Sequence, residues 1–146
     1  MELISTHICM SADVGVHGNL FGGVMLSWID EAAGALAAQI CDTPLLVTVK
    51  MDEVHFRKPV RTGNVIKIYG ALDKFGTTSI ALTIQARKHN VYDGSQKVVC
   101  DTTVKFIRLD EDSEPAPVSE RAKRKYYRKR GLEIPTELRE DTKKEG

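Results

Sequence analysis

The feature that most constrains this chain is one long apolar period of helical spacing, entered from a glycine-rich turn and followed only by strand-like segments. Met25, Ile29, Ala32, Ala33, Leu36 and Ile40 recur at three- and four-residue steps, with no proline among them and Pro44 beyond. That spacing predicts a single helix over 22–40. Ahead of it, residues 3–11 mix β-branched and apolar side chains and read as a first strand. Behind it lie four more strand candidates, 45–56, 64–73, 77–89 and 96–109. Ile66 and Ile68 oppose Val65, Lys67 and Tyr69; the next segment alternates around Ile80, Leu82 and Ile84, and the last around Val98, Cys100, Thr102, Val104 and Phe106. The links at 58–63, 74–76 and 90–95 are short and rich in turn residues, which favours sequential antiparallel pairing. The expected class is α+β, an antiparallel sheet wrapped around one helix. Its edge strands would be unpaired, and joining them across a two-fold axis would give a homodimer.

With 146 residues, 42% of them apolar and 28% charged, the chain suits one globular domain and a tail. No apolar run approaches the ~20 residues that span a bilayer. The first residues lack the basic start and apolar core of a secretion signal, so the expected location is cytoplasmic, with no membrane partner. Cys9, Cys41 and Cys100 are odd in number and far apart, and His7, His17, His55 and His89 form no ligand-spaced pair. Neither a disulfide framework nor a metal site is expected, and no cofactor. Residues 1–114 carry 11 Lys/Arg against 14 Asp/Glu, a net of −3, whereas 115–146 carry 10 against 6, a net of +4. Pro115 and Pro117 mark the seam between a core domain, 1–114, and a basic tail, 115–146, partly helical or disordered.

Two stretches invite a chemical reading. In the first, Gly18, Gly22 and Gly23 precede or open the helix, whose first N–H groups lack intrahelical partners and carry partial positive charge. Those donors suit an anion or a polarised carbonyl; the competing reading is a crowded turn that glycine merely relieves. Further along, Gly23, Ser27, Asp30, Ala33, Gly34 and Ala37 share one side at helical spacing, a row of small residues around one carboxylate. Asp30 beside Glu31 as a plain surface pair is the alternative. The second stretch is Arg121–Arg130, in which seven of ten residues are Lys or Arg, flanked by Ser119 as N-cap and Gly131 as stop. It reads as a solvated tail in preference to a phosphate or nucleic-acid site.

Four pieces in order resemble the hotdog-fold thioesterase superfamily over residues 3–112, and most of all its YciA-like and brain-type acyl-CoA thioester hydrolases. They are Gly18-Asn19-Leu20-Phe21-Gly22-Gly23 with Asp30 after six more residues; Leu46-Val47-Thr48-Val49; the run from Phe56 to Gly63; and Lys74-Phe75-Gly76-Thr77-Thr78-Ser79. The resemblance implies a helix wrapped by a five-to-six-stranded sheet, sheets paired across a dimer, active sites at the dimer interface and trimers of dimers. It implies hydrolysis of acyl-CoA to a free fatty acid and coenzyme A. The Gly22 N–H, with Gly23 beside it, would polarise the thioester carbonyl, and Asp30 would act as general base or nucleophile. Thr48 would position water, coming from the subunit opposite to Asp30. Asn19, Phe21, Arg57, Lys58, Gly76, Thr77, Thr78 and Ser79 match the substrate-facing positions. One customary Asn is replaced by Gly15, and His17 or Asn19 is the candidate substitute. The competing function is a non-catalytic acyl-CoA sensor on the same scaffold. Hydration of enoyl thioesters would call for a His–carboxylate pair near the helix, and none is evident.

Overall fold

The computed structural model describes residues 1–139; the end of the expected tail, 140–146, lies outside the described residues. Strand β1 (Glu2–Ile8) leads through a loop into helix α1 (Gly22–Cys41), and strands β2 (Leu46–Phe56), β3 (Val65–Phe75), β4 (Ser79–His89) and β5 (Gln96–Arg108) follow. They form one antiparallel sheet in the order β1-β3-β4-β5-β2, so β1 and β2 are its edges. The α+β expectation is met with five strands. A second helix, α2 (Glu120–Lys129), closes the described chain with a short 3-10 turn after it.

Helix α1 forms because five alanines and several leucine-like residues occupy its middle turns, where they cost little side-chain entropy. It stops where Asp42 turns left-handed (φ 56°) and donates its N–H to the Ala38 carbonyl. Met25, Ile29, Ala32, Leu36 and Ile40 are all buried against the sheet, facing Ile66, Ile68, Ile80, Leu82, Ile84 and Val104. Gly70 on β3 sets how close the helix can lie. A Cβ there would stand 2.8 Å from Leu36 Cδ2 and 2.7 Å from Ile4 Cδ1, so a larger residue would have to push those side-chain tips aside. At 20 residues α1 is also, by length and composition alone, apolar enough to cross a bilayer, contrary to the expectation that no run approaches that length. Its burial under the sheet accounts for that apolarity.

Three expectations change. The row of small residues on α1 is not one open side: Ala33 and Ala37 are fully buried, while Gly23 and Ser27 are exposed. On β5 the inward alternation slips near its start, because Ala86 pairs Cys100 and Arg87 pairs Val98, leaving Val99 in a bulge. Val99 is therefore buried at 1% exposure, and its carbonyl accepts the Arg57 N–H at 2.8 Å. Lastly, residues 115–139 are not a solvated appendage. The Val118 N–H donates to the Thr77 carbonyl, Lys123 Nζ donates to the Gly76 carbonyl at 2.9 Å, and Ala122 and Tyr126 are buried. Lys125 donates to the Gln39 carbonyl at 3.1 Å and pairs with Asp42, placing a cation at the negative end of α1.

Candidate active site

The loop before α1 is tied at both ends. Val14 bridges Leu20, Asn19 bridges Arg61, and the Phe21 N–H donates to the Asp13 carbonyl at 2.9 Å. Phe21 is thereby held extended (φ −65°, ψ 131°) as the N-cap residue, with no side-chain cap. The N–H groups of Val24 and Met25 fold back onto the Phe21 carbonyl at 3.0 and 3.2 Å. Those of Gly22 and Gly23 find no acceptor among the described residues. Two helix donors are thus left open where the dipole is most positive. Glycine at 22 keeps the approach clear: a Cβ there would already sit 3.4 Å from the Phe56 ring.

Beside this helix end opens a cleft of about 360 Å³. Its deep side is apolar, made by Met25, Val60 and Val99, with Phe56 as a wall. Asn19, Arg57 and Lys58 form its polar rim. Of the expected substrate-facing residues, Asn19, Arg57 and Lys58 therefore gather at one place, and Phe21 flanks it with its ring against Gly23. Arg57 has a local claim on its charge: it pairs with Asp101 on β5, Nη2 donating to Oδ1 at 3.3 Å. The hydrogen bond and charge of Asp101 raise the guanidinium above its ordinary pKa. Lys58, the other cation of the rim, is exposed and has no ion-pair partner among the described residues.

Two turns along α1, the half-buried Asp30 meets β2. Thr48 Oγ1 donates to Asp30 Oδ1 at 2.7 Å. A short link returns the chain beside α1, so the contact forms within one chain; Thr48 need not come from an opposite subunit. Oδ2 of Asp30 carries no hydrogen bond among the described residues. Asp30 lies eight residues beyond Gly22, which is about 12 Å along the helix axis at ~1.5 Å per residue.

The remaining expected residues lie elsewhere. His17 is exposed in the loop, and no hydrogen bond joins it to Asp30 or Thr48. Gly76, Thr77, Thr78 and Ser79 form the β3–β4 turn at the end of the sheet where Ser79 pairs Ile107; the cleft is at the other end, where Phe56 pairs Cys100. One chain does not bring that turn to the cleft, and its carbonyls are engaged by residues 108, 118 and 123. Sequence reasoning missed Val99, since a bulge leaves no compositional mark, and also the stacking of His7 on Trp28 (centroids 4.6 Å, 13° between planes). Among the described residues no group of three or more His, Cys, Asp or Glu converges as a metal-ligand set.

Comparison with known proteins places this geometry in context. Residues 17–100 match the model of the thioesterase superfamily. The acyl-CoA thioester hydrolase YciA of Salmonella typhimurium is 30% identical over 120 residues, covering 80% of this chain and 90% of that protein. A hexameric hotdog fold thioesterase of Campylobacter jejuni superposes with a TM-score of 0.75 at 31% identity, over 85% of this chain and 95% of that one. An acyl-CoA hydrolase from Staphylococcus aureus, solved with butyryl coenzyme A, superposes at 0.74 with 26% identity, over 78% and 69%. The match covers the loop, α1, Asp30, Thr48 and the cleft, and the chain belongs to the hotdog-fold thioesterase superfamily.

Proposed function

We propose that the protein hydrolyses acyl-CoA thioesters to a free fatty acid and coenzyme A, at sites that two copies of the chain build together. The observation that carries this reading is on α1: two N–H donors without acceptors at its start, and a carboxylate fixed by Thr48 eight residues further on. Each half has a distinct task. Thioester attack places negative charge on the carbonyl oxygen, which helix N–H groups at 2.7–3.1 Å stabilise in their fixed orientation. The carboxylate takes a proton from the attacking water and must lie within one water of the same carbonyl carbon. About 12 Å of helix rise separates the two groups in one chain, too far to serve one carbonyl. A two-fold pairing that sets α1 of one copy antiparallel to α1 of the next brings Gly22 of one to Asp30 of the other.

In the reaction, Thr48 holds Oδ1 and leaves Oδ2 to receive the proton while the water oxygen bonds to the carbonyl carbon. The tetrahedral intermediate collapses, the C–S bond breaks with its electron pair on sulfur, and the proton passes from Asp30 to the thiolate. Coenzyme A is a product here and not a cofactor. Support comes also from the relatives: the Salmonella protein is an acyl-CoA thioester hydrolase, the Staphylococcus enzyme binds butyryl coenzyme A, and the Campylobacter thioesterase is a hexamer. A dimer assembled further into a trimer of dimers is the expected state, which sedimentation will show.

A thiol-release assay over acyl chains from acetyl to palmitoyl tests the function, comparing the unaltered protein with Asp30→Asn and Asp30→Ala. Turnover lost in both variants is expected. An acyl-CoA sensor would instead bind acyl-CoA without releasing thiol in any of the three.

A further inference from the structure

We infer that the cleft beside the start of α1 takes the acyl chain, and that Met25 on its deep side sets the longest chain accepted; this rests on the thioesterase reading above. Met25 lies three residues after Gly22 and so on the same side of α1, directly behind the open N–H groups. It lines the cleft yet is only 3% exposed, as are its neighbours Val60 at 3% and Val99 at 1%. Behind these three is the packed core, so the cleft is blind.

A thioester whose oxygen rests on the Gly22 N–H has two arms. The coenzyme A arm carries amides and then phosphates, which need hydrogen-bond partners or solvent and are costly to bury without them. The acyl arm is a run of methylenes, favourable to bury and indifferent to direction. The cleft offers an apolar interior and polar groups only at its rim, with Asn19 and Lys58 there and Arg57 already paired to Asp101. The interior therefore suits the acyl arm and the rim the other. Its volume is at the low end of small-molecule sites, which run from roughly 300 to 1,000 Å³. A chain longer than the cleft must displace a core side chain or turn back into water. Short and medium chains are the substrates that fit.

The test is the ratio of kcat/KM for decanoyl-CoA to that for butyryl-CoA in the unaltered protein, Met25→Ala and Met25→Phe. A ratio is unaffected by any loss of folded protein, and the two substitutions push in opposite directions. Alanine deepens the cleft and raises the ratio by at least about tenfold, the discrimination that a methylene or more carries in an apolar pocket. Phenylalanine shortens the cleft and lowers the ratio. Ratios equal in all three proteins, or moving together, would overturn the assignment of Met25 and leave the thioesterase reading intact. No thiol release from any chain by the unaltered protein would defeat both.

Discussion

Asp30 is held by one oxygen and works with the other. Replacing it by Asn keeps the shape and the Thr48 contact but removes the base, so kcat falls by about 10²–10⁴-fold, the usual worth of a positioned general base. Thr48→Val leaves the carboxylate and deletes only the 2.7 Å hydrogen bond that orients it. A loss of about tenfold in kcat with KM held is expected, since one hydrogen bond to a charged group is worth about 1.5–3 kcal/mol at most. Single turnover in heavy-oxygen water separates base from nucleophile: label enters the fatty acid if water attacks the thioester, and enters Asp30 in its place if the carboxylate attacks and water then opens the mixed anhydride at the Asp30 carbon. His7 supplies a pH response unrelated to catalysis. Burial on Trp28 pushes its pKa below the ordinary 6.5, outweighing Glu31 and Asp13, which pull it up. As pH falls through 6.5 the unfolded chain takes the proton first, so stability drops on the acid side and is unaffected above it. Thermal melts of His7→Phe against pH will show a shallower acid-side loss. Burial also pushes the thiols of Cys41 and Cys100 up to about 11, so neither is expected to react with an alkylating agent at neutral pH in the folded protein, as mass spectrometry will check.

At the scale of elements, α1 was legible because its apolar residues keep one period for five turns and nothing competes with it. Strands β3, β4 and β5 were legible from alternation at period two, while β1 and β2 were legible only from their β-branched and apolar composition. The Val99 bulge was not, because it comes from how β4 and β5 register on each other, and either strand read alone alternates cleanly. Helix α2 shows the opposite failure. Its helical form could be read from Ser119 and Gly131, but its docking rests on Ala122 and Tyr126, two apolar residues hidden among seven cations. Several of those cations spend their charge locally, Lys125 on Asp42, Arg130 on Glu2 and Lys123 on a carbonyl, which is why composition overstated the solvated tail. Ser119 accepts from the Ala122 N–H at 3.3 Å, a long cap. Ser119→Ala is therefore expected to cost about 0.5–1 kcal/mol in urea unfolding, the low part of the N-cap range.

Over the whole molecule the geometry asks for a second copy. β2 is an edge strand that shows Val47 and Val49 to solvent at 42% and 47% exposure, an unpaired and apolar edge of the kind that a two-fold partner covers. Antiparallel pairing there would reverse the ends, placing the β3–β4 turn of one copy at the same end of the joined sheet as the cleft of the other. Such a pairing would carry the residues Gly76 to Ser79, remote from the cleft within a chain, toward the cleft end of the other copy. Spacing pointed to the glycine donors and to Asp30, the family resemblance added Thr48 and the catalytic roles, and the rise along α1 is the ground for proposing that Gly22 and Asp30 act across two copies.

That sharing is the central claim, and complementation tests it directly. Gly22→Pro removes one N–H and sets a ring in the approach beside Phe56, disabling this half of the site while leaving the helix start intact, because proline is favoured at the first helical position and the extended Phe21 suits a residue before proline. This variant and Asp30→Asn are each expected to be nearly inactive. Co-expressed, they form mixed dimers in which one of two sites has both an intact Gly22 N–H and an intact Asp30. Random mixing then restores roughly a quarter of the unaltered activity in the thiol-release assay, as a two-fold site shared between copies requires. Activity no greater than the average of the two variants measured apart would contradict the shared site.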